Sequence, residues 1–257
     1  MKIALFSDIH ANLPALQAVL ADIDGRKPGA VYCLGDLVGY NIWPNEVCKI
    51  IRERGIPTIS GNYDFGIGRG SNDCGCAYKT DEDKANGAVS ISYTNEIIDD
   101  EERSYLRSLP AHIRVEYKLN DDDMQLLLVH GSPRKINEYL FEDREEKSLK
   151  RIMRDAHADI MCFGHTHKPY HRVLEDTEDS DVRYRHAINI GSVGKPKDGD
   201  TRACYVILEI NEHTGNANKD GLKVEFVRVE YDVEKAAKAV EGSPLPDKYA
   251  DNLRKAY

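Results

Sequence analysis

At 257 residues the chain has room for one large α/β domain or two small ones, and its 41% apolar content can supply a real core. Acidic residues outnumber basic ones 44 to 35, giving a net charge of −9 with no dense basic cluster, which argues against a nucleic-acid surface. No apolar run approaches the length of a membrane span and no signal-peptide pattern opens the chain, so a cytoplasmic protein with no membrane partner is expected.

The first apolar run, Ile3 to Phe6, is short and continuous, as in a strand covered on both faces. It stops at Ser7, and Asp8 and His10 follow. If extended geometry persists, both side chains project to one side, where a carboxylate and an imidazole can share a divalent cation. A surface turn is the alternative. Asn12 then caps a helix that tolerates Pro14 in its first turn; Leu13, Leu16, Val19, Leu20 and Ile23 recur at helical spacing, and Gly25 ends the pattern. Ala30 to Leu34 reads as a second strand broken by Gly35-Asp36. A helix from Pro44 to Arg54 stops at Gly55, and Ile56 to Ser60 reads as a third strand ahead of Gly61-Asn62-Tyr63-Asp64. Such β-α-β-α-β order favours a parallel sheet, whose ligands gather at the carboxyl ends of the strands.

Phe65 to Asp83 is rich in Gly, Asp and Asn without periodicity and reads as a long loop bordering the pocket. Within it, Cys74 and Cys76 lack a second ligand pair at zinc-knuckle spacing, so loop packing is the first reading, with redox or metal roles as alternatives. Cys33, Cys48, Cys162 and Cys204 sit in apolar segments as small buried side chains. Lys84 to Ile97 and Glu101 to Leu109 read as helices. Ile113 to Tyr117 and Met124 to Val129 read as a hairpin turning at Asn120 to Asp123 and delivering His130-Gly131-Ser132-Pro133. Glu145 to His157 is an amphipathic helix, and the strand Ile160 to Phe163 ends in Gly164-His165-Thr166-His167. Four strands follow, at Tyr170 to Leu174, Tyr184 to Ile190, Cys204 to Ile210 and Val224 to Tyr231, with polar turns at Glu175 to Asp181 and Asn211 to Asp220. Val233 to Val240 makes a last helix before a loose tail after about residue 243. With no repeat or linker, a single domain over residues 1–257 is expected.

Taken together, the strand ends carry Asp8, His10, Asp36, Asn62, His130, His165 and His167, most beside a glycine that allows a sharp turn. Carboxylate, imidazole and amide oxygen without thiolate suit Mn²⁺, Fe or Zn²⁺ rather than a structural cysteine site. Seven ligands are too many for one ion. Two ions about 3.5–4 Å apart serve phosphate-ester hydrolysis.

In that order and spacing, Asp8-x-His10, Gly35-Asp36-x-x-Gly39, Gly61-Asn62-x-Asp64, His130-Gly131 and Gly164-His165-Thr166-His167 resemble the calcineurin-like metallophosphoesterase superfamily, over roughly the first two-thirds of the chain. The resemblance, closest to small single-domain phosphodiesterase-like members from bacteria and archaea, implies an α/β fold: a four-layer α/β/β/α sandwich of two mixed β-sheets flanked by helices. It implies that Asp8, His10, Asp36 and His167 bind one metal and Asp36, Asn62, His130 and His165 the other, with Asp36 bridging. It also implies a hydrolase of phosphate mono- or diesters in which a metal-bridging hydroxide attacks phosphorus in line, with catalytic roles for Asp36, Asn62 and Asp64.

One position departs from the pattern. Many members have His where this chain has Tyr63, and a phenol of ordinary pKa is a weak acid at neutral pH. A metal-bound water or His171 is then the candidate proton donor, and Asp64 an orienter of His10 or another ligand. The run Asn189-Ile190-Gly191-Ser192-Val193-Gly194 resembles the family's Gly-Ser loop. It continues into a basic stretch, Lys195 to Arg202, that can face an anionic substrate. Tyr63, Arg134, Ser192 and Arg202 are therefore the candidate substrate contacts for a small phosphate-ester or nucleotide-like substrate. A dinucleoside polyphosphate or a protein phosphoserine is the alternative substrate, and a degenerate protein-binding scaffold the alternative outside enzymes. His112, His157, His186 and His213 lie outside the motifs.

Overall fold

Alternation along the strands sets the layers. In β1 (Lys2–Phe6), Ile3 and Leu5 face one apolar core while Ala4 and Phe6 face another. The same division runs through the molecule, which is described here by a computed structural model over residues 1–119, 122–178 and 181–257. After β1 come α1 (Leu13–Arg26), β2 (Ala30–Cys33), α2 (Pro44–Glu53), α3 (Asn62–Gly68), α4 (Asp81–Ile97) and α5 (Asp100–Ser108). The hairpin β3 (His112–Leu119) and β4 (Asp122–Val129) leads to α6 (Glu146–Asp155) and β5 (Ile160–Phe163). The chain ends with β6 (Tyr170–Glu178), β7 (Asp181–Asn189), β8 (Ala203–Glu209), β9 (Lys223–Val229), α7 (Val233–Glu241) and α8 (Asp247–Lys255).

Two mixed sheets result, one ordered β2-β1-β8-β9 and the other β3-β4-β5-β7-β6. Their facing sides share a core of Ile3, Leu5, Leu126, Leu128, Ile160, Cys162, Val206 and Leu208. Helices α1, α2, α7 and α8 cover the outer face of the first sheet through Leu16, Val47, Ala236 and Leu253, and α6 covers the second through Leu149 and Met153. This is the α/β/β/α sandwich of two mixed sheets. β1 and β2 run parallel, as do β4, β5 and β7, so their carboxyl ends open together on one rim.

Several elements differ from the sequence reading for identifiable reasons. The expected third strand reduces to one bridge between Cys33 and Thr58; Pro57 has no N–H to give, and the Ser60 N–H turns away to Pro110 O. The long loop is shorter than expected, because Phe65–Gly68 continues α3 and Thr80 caps α4 by accepting from Asp83 N–H at 3.0 Å. Gly25 lies inside α1, which ends at Lys27 in a left-handed conformation. β6 and β7 extend through the segment read as a polar turn, up to Glu178 and from Asp181; residues 179 and 180 lie outside the described residues, as do 120 and 121 of the expected hairpin turn. The tail is not loose: Tyr249, Ala250 and Leu253 bury one face of α8. Among the described residues, no helix is long and apolar enough to cross a membrane.

Candidate active site

Beyond the ends of β1 and β2 the two chains stay paired through their backbones. Asp8 N–H donates to Gly35 O at 2.9 Å, His10 N–H to Asp36 O at 2.9 Å and Ala11 N–H to Leu37 O at 2.7 Å. The backbone is not extended there. Asp8, His10 and Asp36 have φ of 53°, 49° and 54°, and His165 and His167 have 65° and 60°. Five left-handed non-glycine residues at one rim represent stored strain, of the kind that gathers at functional sites. Asp8 and His10 therefore meet through successive left-handed turns, not through continued strand geometry.

The frame around these turns is polar and buried. Asn41 Nδ2 donates to His10 O at 2.8 Å, the Ser192 hydroxyl to Asp8 O at 2.8 Å, and Asn189 Nδ2 to Gly164 O at 2.8 Å. Asp64 accepts from Leu37 N–H at 2.8 Å and Gly61 N–H at 2.9 Å, tying the loop that carries Asp36 to the one that carries Asn62. Burial, reinforced by nearby Asp36, pushes the Asp64 carboxyl up to about 7. Asp64 thus orients backbone loops rather than an imidazole.

Inside this frame Asp8, His10 and His167 bring three potential ligand atoms within 4.8 Å of one another, and Asp36, His130 and His165 do the same. Each of three histidines faces a carbonyl through Nδ1: His10 with Val38 O at 3.0 Å, His130 with Leu34 O at 2.8 Å and His167 with Lys195 O at 2.6 Å. Those contacts place a proton on Nδ1, which in the rings of His10 and His167 leaves the Nε2 lone pair facing inward. The Nε2 atoms of His10 and His167 then stand 3.2 Å apart, lone pair to lone pair. Asp36 turns one oxygen to Tyr63 N–H at 2.8 Å and the other to both His130 Nε2 at 3.3 Å and His10 Nε2 at 3.6 Å. Asp8 Oδ1 lies 3.2 Å from His167 Nε2, and Asn62 Oδ1 lies 3.1 Å from His130 Nε2.

Burial pushes His10 down to about 3 and His167 well below its ordinary range; burial, with His130 nearby, takes His165 to about 4. These rings are neutral at neutral pH and present lone pairs. His130 goes the other way: burial would lower it, but Asp36 raises it to about 10. Burial would likewise raise Asp36, yet His130 and His10 hold it below the usual carboxylate range. A divalent cation fits this set on three counts. It would relieve the opposed lone pairs of His10 and His167, and it would partner His165 Nε2, a buried atom with no hydrogen bond. The donors themselves are carboxylate, imidazole and amide oxygen.

All seven expected ligand positions come together at this rim; the expected substrate contacts mostly do not. The Ser192 hydroxyl is committed to Asp8 O and to Lys195 N–H at 2.9 Å, so it serves the frame. Arg202 is half-exposed and paired with Asp200 at 2.7 Å. The Arg134 guanidinium is paired with Glu138 beside a cavity lined also by His112, Arg114 and, from the cluster, His130. His171, the alternative proton donor, packs against His186 with Nε2 3.0 Å from its Nδ1. Tyr63 does reach the cluster, its ring centroid 5.4 Å from that of His10. Burial raises the Tyr63 phenol well above 10, which removes it as an acid. Sequence reasoning missed Tyr40 and Tyr139, whose rings lie 4.8 Å and 4.1 Å from His10 and His165. No local pattern flags them, because they reach the site from separate loops. Cys74 is buried and Cys76 partly so, and Cys74 O accepts from Asn62 Nδ2 at 2.8 Å, which turns the amide oxygen toward His130.

The profile of the calcineurin-like phosphoesterase superfamily domain matches residues 1–213. The uncharacterized protein MJ0912 of Methanocaldococcus jannaschii is 35% identical, over 98% of this chain and 96% of its own. Among solved structures, a metallophosphoesterase from Sphaerobacter thermophilus is 28% identical with a TM-score of 0.73, covering 100% of this chain and 99% of its own. The hypothetical protein PH1004 of Pyrococcus horikoshii, 23% identical, shares the fold with a TM-score of 0.77 over 100% of this chain and 98% of its own.

Proposed function

The chain belongs to the calcineurin-like phosphoesterase superfamily and is a phosphoesterase-type hydrolase, and from that premise we propose that it cleaves phosphate mono- or diesters at a centre for two divalent cations. Asp8, His10, Asp36 and His167 would hold one ion, and Asp36, Asn62, His130 and His165 the other. Their donor chemistry suits Mn²⁺, Fe or Zn²⁺. Bound there, the ions would supply Lewis acidity toward phosphate oxygens and an acidified water. The observation that carries the reading is the single Asp36 oxygen facing His10 and His130, one from each ligand group, while its partner oxygen is pinned by Tyr63 N–H.

The protein's own contribution is preorganisation. Nδ1 contacts to backbone carbonyls fix the ring planes of His10, His130 and His167, and Asp64 fixes the distance between two ligand loops. The Tyr63 backbone orients Asp36, while its side chain packs against Tyr40 with centroids 4.8 Å apart.

The test uses purified protein with added Mn²⁺ on p-nitrophenyl phosphate and on its bis ester. Turnover of at least one is expected; turnover of neither, with metal demonstrably bound, overturns the proposal. Asp36→Asn should lose metal and activity together, and retained activity would refute the bridging role.

A further inference from the structure

Beside the cluster lies a cavity of about 390 Å³. It shares walls with the ligand set, since Tyr40 and Tyr139, whose rings pack on His10 and His165, line it as well. Its charge is opposite to that of the chain around it. The molecule carries a net charge of −9, yet this wall presents Lys79, Lys195, Lys197 and Lys248 against one acidic side chain, Asp83. That carboxylate is already taken, 2.9 Å from Lys248 Nζ.

Lys195 is the informative residue. It is 6% exposed, and its ammonium faces aromatic rings, Tyr40 at 4.5 Å and Tyr249 at 5.9 Å from the ring centroids. Lys197 reaches the same cavity two residues later, half-buried. Among the described residues neither lysine forms an ion pair. Ring faces offset part of the cost of burying a cation but do not replace a counter-charge. Two lysines without a counter-charge on one wall are a donor set lacking its acceptor. Burial holds both amines below the ordinary lysine range; an anion between them would hold both charged, and two positive charges match a doubly charged phosphate better than a singly charged carboxylate. Around them, Tyr40, Tyr139 and Tyr249 supply flat apolar faces, which suit a planar ring.

We infer that this cavity is a second phosphate subsite, and that the substrate is a nucleotide carrying a phosphate in addition to the one that is cleaved. The inference rests on the phosphoesterase reading of the neighbouring cluster, and it names the substrate class of that site. Lys195 and Lys197 are the residues that select it.

The test is calorimetric and needs no turnover. Adenosine 5′-monophosphate, adenosine 5′-diphosphate and adenosine 3′,5′-bisphosphate are titrated into the purified chain and into its Lys195→Met/Lys197→Met variant. At least one two-phosphate ligand should bind the parent at least about tenfold tighter than the monophosphate, and the variant should lose that gain. Equal affinity for all three ligands, or a gain that survives in the folded variant, overturns the subsite. Lys197→Met alone, at the half-buried position, decides the matter where the double variant does not fold: it should lose most of the gain, and a full gain counts against the proposal. Turnover of bis(p-nitrophenyl) phosphate separates the two readings. With turnover but no two-phosphate gain, the subsite alone fails; with no turnover and metal bound, the catalytic reading fails whatever the calorimetry shows.

Discussion

Gly61 and Gly164 precede the ligands Asn62 and His165 for a reason that the sequence pattern misattributes. Neither has a positive φ, so neither is needed for a sharp turn. A Cβ on Gly61 would lie 2.1 Å from Asp36 Oδ1, and one on Gly164 would lie 2.3 Å from Asp8 Oδ2. The glycines make room for the carboxylates of Asp36 and Asp8. Gly164→Ala should therefore displace Asp8 and weaken metal binding by about 10–100-fold, the range associated with disturbed ligand support. Metal titration calorimetry reads the effect, and unchanged affinity would show that the Asp8 position does not matter. Tyr63 makes the second residue-scale argument. With its phenol held well above 10, Tyr63 is a poor acid toward a departing alkoxide. Rates across a series of substituted phenyl phosphates should fall steeply as the leaving-group pKa rises, and Tyr63→His should flatten the slope. A flat series in the parent protein would mean that another donor serves. The candidate ligands other than Asn62 were legible in the sequence because each follows an apolar strand. The framing roles of Asn41, Asn189 and Ser192 were not, since a buried amide or hydroxyl looks like any loop residue until its carbonyl partner is known.

At the scale of elements, apolar periodicity located the strands and most helices, and it failed where polar side chains are buried. β6 and β7 run through a segment that reads as a turn, and Asp176 within it is satisfied internally. Asp176 is fully buried and accepts from Arg154 Nε at 2.8 Å and Arg185 Nε at 2.7 Å, and Arg185 also donates to Ala158 O at 2.8 Å. Arg154, and after it Arg185, hold the Asp176 carboxyl at about 2, against burial that would raise it. The folded pKa lies below the unfolded value, so the carboxylate contributes stability that is fully present above about pH 4. It is lost as pH falls through about 2, and its size is on the order of 2 kcal/mol. Urea unfolding between pH 5 and 2 should show this loss in the parent protein. Asp176→Asn should be less stable at pH 7 but flatter across that window; an equally steep acid loss in the variant would assign it to other groups. α8 was missed for a related reason. Its buried Tyr249, Ala250 and Leu253 alternate with Lys, Asp, Asn and Arg, and the proline-containing stretch before it reads as the start of a tail. That helix brings Tyr249 to within 5.1 Å of Tyr40, centroid to centroid, and so builds one wall of the cavity beside the site.

For the molecule as a whole, the decisive feature is that the candidate ligands come from both sheets. Asp8, His10 and Asp36 follow β1 and β2 of the first sheet, whereas His130, His165 and His167 follow β4 and β5 of the second. The sheets also meet through the apolar core between their facing sides. Cations held by both ligand groups would therefore bind the folded chain and have no preformed site in the unfolded one. Linkage then sets the gain at RT ln(1 + [M]/Kd), about 4 kcal/mol when free metal exceeds Kd by roughly a thousandfold. For a chain of this length each kcal/mol moves Tm by about 2–4 °C, so saturating Mn²⁺ should raise Tm by about 8–16 °C. Excess chelator should reverse the rise, and scanning calorimetry at several metal concentrations should follow the logarithmic dependence. Asp36→Asn removes the carboxylate shared by both ligand groups, so its Tm should respond weakly to metal. An equal rise in that variant would place the stabilising ions elsewhere on an acidic surface, and the joining of the two sheets through Asp36 would have to be abandoned.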